Sequence, residues 1–168
     1  YSNCYQGEFV WDHTYLIKNN VYIRDWSNIF KIFTQDIGRG AGVVYGFYRP
    51  LLILSFMVDY HLWGLNIAGY HLVNLLLHIS VAIGFYWLVR IVFNDYLLAF
   101  FSSLLFVMHP VHTEVVMWTV IRADSMSALF MLLALIFYVN YLSTKRKLNL
   151  FFIGIWTVFA LLSKESSI

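Results

Sequence analysis

YHLVNLLLHISVAIGFYWLVRIVF, residues 70–93, decides the fold. Among Asp, Glu, Lys and Arg it carries Arg90 alone. A helix of this length reaches about 36 Å, enough to cross a hydrocarbon core of about 30 Å. His71, Asn74 and His78 punctuate it at i, i+3 and i+7, within about 60° of one another around a helix. Polar side chains in a span are costly against lipid, so this stripe should face protein or a cavity. Interhelical hydrogen bonding is its ordinary use.

The rest of the chain agrees with a membrane. Only 12% of the 168 residues are Asp, Glu, Lys or Arg, about half the ~25% usual in soluble domains. Hydrophobic residues make up 61% and aromatics 20%. The class is all-α integral membrane protein, a multi-span helical bundle. A net charge of +2 is too small to argue for nucleic acid. The single cysteine, Cys4, forms no disulfide within the chain and carries no redox information. The chain opens at Tyr1 without a basic, then apolar, leader, and ends shortly after Glu165. The expectation is a piece of a longer protein, with an N-terminal anchor and a C-terminal part outside it.

Residues 1–66 carry five of the eleven basic residues and should lie outside the hydrocarbon as a loop with interfacial helices. Within them Trp26, Ile29, Phe30 and Phe33 fall at i, i+3, i+4 and i+7, one face of a short amphipathic helix suited to a membrane surface. Glycines mark residues 38–42 as a loop. The apolar run Pro50–Val58, ended by Asp59, spans about 13 Å as a helix and is too short to cross, so a re-entrant or interfacial helix is expected.

Residues 67–168 form the transmembrane region, with about four spans expected at 70–93, 96–108, 125–142 and 148–163. The second is short and would need residues from a flank. Lys145, Arg146 and Lys147 in the last connection should be cytoplasmic. Counting from there places residues 1–66, the His109–Asp124 loop and Lys164-Glu165 on one extracytoplasmic surface. No internal repeat or low-complexity tract is present.

Several polar groups on that surface have two readings. His109-Pro-Val-His112-Thr-Glu114 ends the second span, and Pro110 suits the first turn of a new helix. Its two histidines and carboxylate are metal donors, although the spacing is not the i, i+4 pair of a helical zinc site; a hydrogen-bonded elbow is the alternative. Asp124 reads as a helix N-cap. Arg122, a lone Arg beside a membrane, suits an anionic group, or else snorkels to headgroups, and the same choice applies to Lys164 and Glu165. Asp12 reads locally as a turn residue, with Phe9, Val10 and Trp11 as neighbours that would hold it at an interface.

The runs WDHTYLIKNN, IFTQDIG, YRPL, LSFMVDYHLWGLNIAGYHLVNLLLH, HPVHTEVVMWTVIRADSM and LLSKES, in this order, resemble the GT-C-fold membrane glycosyltransferases of the transmembrane and tetratricopeptide-repeat (TMTC-type) group, relatives of the protein O-mannosyltransferases. The resemblance covers nearly the whole chain, and HPVHTE…RAD and GYHLVNLLLH are its specific blocks. It implies a long first extracytoplasmic loop with membrane-parallel helices and a mannose-like sugar on a polyprenyl phosphate as donor. It further implies a protein or glycan hydroxyl as acceptor, in a bacterial or archaeal cell membrane or the endoplasmic reticulum. Further spans and helical repeats of about 34 residues would follow downstream.

The family's first-loop motif, Asp-Asp-x-x-x-Ile-x-x-Asn, is matched by Asp12, Ile17 and Asn20, with His13 in place of the second Asp. On this resemblance Asp12 is the expected base in an inverting transfer. Arg122, Arg49 and Lys164 are expected to meet the phosphate, Glu114 and Glu165 to position them, and His109 and His112 to assist. Neither a cofactor nor a divalent metal is required by the pattern, and neither is excluded. The rival reading is a non-catalytic anchor or a transporter segment. A transporter should gather polar groups at mid-membrane, whereas here, apart from the His71 stripe, they gather at one face.

Overall fold

A computed structural model describes residues 13–111 and 118–165. Among the described residues all regular structure is helical. A π-helical turn Thr14–Lys18, 3-10 turns Tyr22–Arg24 and Trp26–Asn28, and the one-turn helix α1 (Ile29–Ile32) make up the first segment. The 3-10 turn Arg39–Ala41 follows, and then, among the described residues, the helices α2 (Pro50–Trp63), α3 (Ile67–Phe93), α4 (Tyr96–Met108), α5 (Arg122–Thr144) and α6 (Lys147–Ser163). Helix α3 packs against α4 and α5, and α5 packs against α6. Helix α2 lies across one end of this group, touching α3, α5 and α6.

Local chemistry sets the helix ends. Asn66 begins α3 by accepting the Ala68 amide, and Asp95 begins α4 by accepting from Leu97 and Leu98, as short polar caps do. Asn94 and Lys145 end α3 and α5 in the left-handed region. Gly64, at φ 57°, turns the chain from α2 into α3, and its carbonyl accepts the Tyr70 hydroxyl at 2.9 Å. Helix α4 has the expected bounds and borrows nothing from its flanks, because His109 is extended.

Two helical stretches, Ile67–Phe93 and Thr119–Thr144, are long and apolar enough to cross a membrane. Helices α2, α4 and α6 are apolar but shorter; at 13 residues α4 spans about 20 Å. Only a third of the most apolar 18-residue part of each long stretch is buried within the protein. Leu76, Ile83, Trp87, Leu97, Phe101 and Phe151 are exposed. An apolar exterior around a helical bundle is consistent with an all-α membrane protein.

The main core lies at the loop end. Leu52, Ile53, Phe56 and Met57 of α2 pack with Leu16, Ile17, Ile23, Ile32 and Ile37 of the first segment, Tyr70 of α3 and Ala123 of α5. Two expectations change here. Asp59 does not end the apolar helix, which runs on to Trp63. The amphipathic helix over 26–33 is a 3-10 turn, capped by Asp25 through the Ser27 amide, followed by one α-turn. Trp26, Ile29 and Phe30 nevertheless stay exposed.

Two polar residues shape the loop. The Asn20 side chain donates to Leu16 O and accepts the Tyr22 amide. A Cβ at Gly40 would lie 1.8 Å from Asn20 Oδ1, so the close approach of Gly40 requires glycine. Asp36 accepts four backbone amides, from Gly38 and Tyr45 on Oδ1 and Gly46 and Phe47 on Oδ2. Burial raises the Asp36 carboxyl, but those four amides together outweigh it and hold the group below its usual range.

Asp36→Asn leaves one heteroatom as a donor facing amides that are also donors, and should lower stability by about 1–3 kcal/mol. Because the native group is held low, the Asp36 contribution is complete above the ordinary carboxylate range and fades as pH falls through the depressed value. A denaturation midpoint that is unchanged by the substitution at neutral pH would contradict this role.

Candidate functional site

Arg122 opens α5 and is fully buried. Its Nη1 lies 2.5 Å from Asp59 Oδ2 and donates to Ser55 Oγ at 3.2 Å. Nε donates to Asn74 Oδ1 at 2.7 Å, and Nη2 to the Tyr70 carbonyl at 3.0 Å. The guanidinium also sits over the Phe56 ring, 5.0 Å from its centroid. Every nitrogen of this side chain is thus engaged by α2 or α3. The planar fork that suits Arg to an anionic substrate here meets a carboxylate of its own chain. Asp59 and Arg122 each make the other's burial tolerable, which is why a carboxylate sits inside an apolar helix.

The stripe on α3 faces protein as its spacing predicts. His71, Asn74 and His78 are all buried. Asn74 serves Arg122, and His78 stacks on Phe106 of α4 at 5.6 Å. His78 also lines a groove of about 440 Å³ between α3, α4 and α5. Val81, Phe85, Ala128 and Leu132 make its apolar walls, and Asp124 and Ser125 also line it.

Beside that groove lies a cluster of four charges. Arg49, at the N-cap of α2, donates to Glu165 through Nε at 2.9 Å and Nη2 at 2.8 Å. Lys164 at the end of α6 donates to Asp124 in the first turn of α5. Asp124 is therefore not the N-cap its position suggests, since α5 begins three residues earlier than expected and its cap is Ile121. The two pairs belong to one electrostatic group, because Asp124 acts on Arg49 and Lys164 on Glu165. Arg49 also stacks over Phe47 at 4.8 Å. The hydrogen bond with Glu165 raises Arg49 above its already high range. The Arg49 guanidinium in turn holds the Glu165 carboxyl below its ordinary value.

The structure thus brings together Arg49, Lys164 and Glu165, expected from sequence, and adds Asp124 to them. His13 is buried just before the π-helical turn. Ile17 and Asn20, the motif positions that follow it, are fully buried, so both act as scaffold for the segment. His109 is exposed at the end of α4, where its Nδ1 accepts the Val111 amide at 3.3 Å. Asp12, His112 and Glu114 lie outside the described residues. Among the described residues no three His, Cys, Asp or Glu side chains converge to hold a metal ion.

Comparison with known proteins gives a consistent set of relatives. The chain is 38% identical to the human protein O-mannosyl-transferase TMTC1 over 82% of its own length, and 37% identical to human TMTC2 over 86%. A protein O-mannosyl-transferase of Caenorhabditis elegans is 33% identical and matches along the whole chain. The chain spans only 16–24% of the length of these three relatives. No family model matches, and no solved structure does.

Removing one member of the buried pair, as Asp59→Ala or Arg122→Ala, should destabilise the protein by about 3–5 kcal/mol. The paired replacement Asp59→Leu with Arg122→Met should recover much of that loss, and unfolding midpoints in detergent decide the matter. At the exposed cluster Glu165→Gln should cost well under 1 kcal/mol. Since the Glu165 carboxyl is depressed, its pair contributes fully above the ordinary carboxylate range and is lost as pH falls through that depressed value. A loss that begins near neutral pH would contradict the pairing.

Proposed function

We propose that this chain, a relative of the TMTC-type protein O-mannosyl-transferases, forms the N-terminal part of a GT-C-type membrane glycosyltransferase. It moves mannose from a polyprenyl phosphate to a hydroxyl of a protein acceptor, with inversion at the anomeric carbon. The observation that carries the reading is the kinship itself, with identities of 30–39% over most of the chain to proteins named for this activity. The charge cluster beside an apolar groove supports the lipid-phosphate part of it. A polyprenyl chain needs an apolar path, and its phosphate needs cations at the end of that path. Asp124 belongs to both, lining the groove and pairing with Lys164.

In this mechanism the acceptor oxygen attacks the anomeric carbon on the face opposite the phosphate. The bond from that carbon to the phosphate oxygen breaks, and the acceptor proton passes to a base. Asp12 is that base. A lipid phosphate leaves with negative charge, so positive charge close to it lowers the barrier more than an acid would. Arg49 and Lys164 supply it, positioned by Glu165 and, in the adjoining segment, Glu114. His109 and His112 assist acceptor or phosphate, and His13 lines the base's segment in place of a second carboxylate. Arg122 acts one step back, holding α2 on the bundle and with it Arg49. The named relatives are animal proteins, which favours the endoplasmic reticulum membrane over a bacterial or archaeal one, with the cluster on the lumenal side.

The test is transfer from radiolabelled polyprenyl-phosphate mannose by the full-length protein. Asp12→Asn should reduce kcat by about 10²-fold or more, the usual size of a general-base contribution. Arg49→Ala should weaken donor use. Undiminished transfer by both variants would remove the site assignment. A full-length protein that neither binds the donor nor transfers sugar would leave the anchor reading in its place.

A further inference from the structure

The four-charge cluster is neutral in sum, which is unusual for a place meant to hold an anion. Arg49 and Lys164 are the more covered members, with side chains 17% and 27% exposed, whereas Glu165 and Asp124 are each 43% exposed. Both cations already have a carboxylate within contact distance. Arg49 keeps Nη1 outside its two-bond pairing with Glu165, so it can receive a second anion without releasing the first. Asp124 touches Lys164, acts on Arg49 and lines the groove. Both carboxylates act on both cations, and of the two Asp124 is the one that also lines the apolar path.

The chemistry proposed above gives such a carboxylate a use. The donor is a phosphodiester with one negative charge. When the sugar leaves, the lipid phosphate becomes a monoester with two, while the proton of the acceptor hydroxyl goes to the base. Two unopposed cations would therefore hold the product more tightly than the donor. Tight product is slow product, because release limits turnover in many enzymes. A fixed negative charge beside the cations repels a dianion about twice as strongly as a monoanion, by the Coulomb product of the charges.

We infer that Asp124 is a positioning residue that tunes this release, orienting Lys164 while lowering the cluster's affinity for the departing lipid monophosphate more than for the donor diester. Glu165 serves the same end through Arg49. The pairing of each cation with a carboxylate is thus a setting of phosphate affinity, and the inference rests on the cluster receiving a lipid phosphate, as proposed above.

The experiment measures binding by the full-length protein in lipid nanodiscs at pH 7.5. The probes are a polyprenyl monophosphate and its methyl diester. Asp124→Asn should bind the monophosphate roughly three- to tenfold more tightly, the effect of one partly screened charge, with a smaller gain for the diester. Asp124→Glu should restore the wild-type ratio of the two. Glu165→Gln should move the ratio in the same direction as Asp124→Asn and serves as the second variant. Equal shifts for both probes, or no tighter monophosphate binding in either neutral variant, would overturn the inference while leaving the lipid-phosphate reading standing. A wild-type protein that binds neither probe would overturn both.

Discussion

The contact between Asp59 and Arg122 is the constraint on which the remaining arrangement depends. Burying either charge alone is prohibitive, and burying the two together is tolerable only when the other polar atoms are also met. Asn74, Ser55 and the Tyr70 carbonyl meet them. A greasy interface between α2, α3 and α5 could slide by a residue and lose little, but this one has a single register. Because α2 begins at Pro50, that register also decides where Arg49 stands, and so where Glu165 finds its partner.

Much of the helical plan was legible in the sequence. The run at 70–93 reads as a span, and α3 is long and apolar enough to be one. The i, i+3, i+7 stripe of His71, Asn74 and His78 correctly pointed at protein, because periodicity on a helix is itself a statement about which face is covered. What local reading missed was always a partner far along the chain. Asp59 looked like a terminator because its counter-ion is on another helix. Arg122 looked like a lone cation for the same reason, and its donors proved to be occupied by α2 and α3.

The charge cluster was half legible. Counting spans placed Lys164, Glu165 and the start of α5 at one end of the bundle, so Asp124 could have been matched with Lys164 on topology alone. Its proximity to Ser125 and an apolar run made the N-cap reading more attractive, and only the 3-10 turn Thr119–Ile121 shifts the helix start enough to free it. Arg49 was visible only through the resemblance, because nothing within a few residues distinguishes it from any cation beside a proline. The motif following Asp12 shows a similar division of labour. Ile17 and Asn20 are buried scaffold, so part of what makes the motif recognisable is packing rather than chemistry.

The core at the loop end has a consequence for biogenesis. The first segment emerges from the ribosome long before the helices that complete its interior. Arg122 bonds to Ser55 across 67 residues, and Glu165 to Arg49 across 116. Contacts of such separation form late, so Asp59 and Arg49 are made well before the groups that pair with them. A chain halted before α5 would display a buried carboxylate without its counter-ion and an apolar face without its cover.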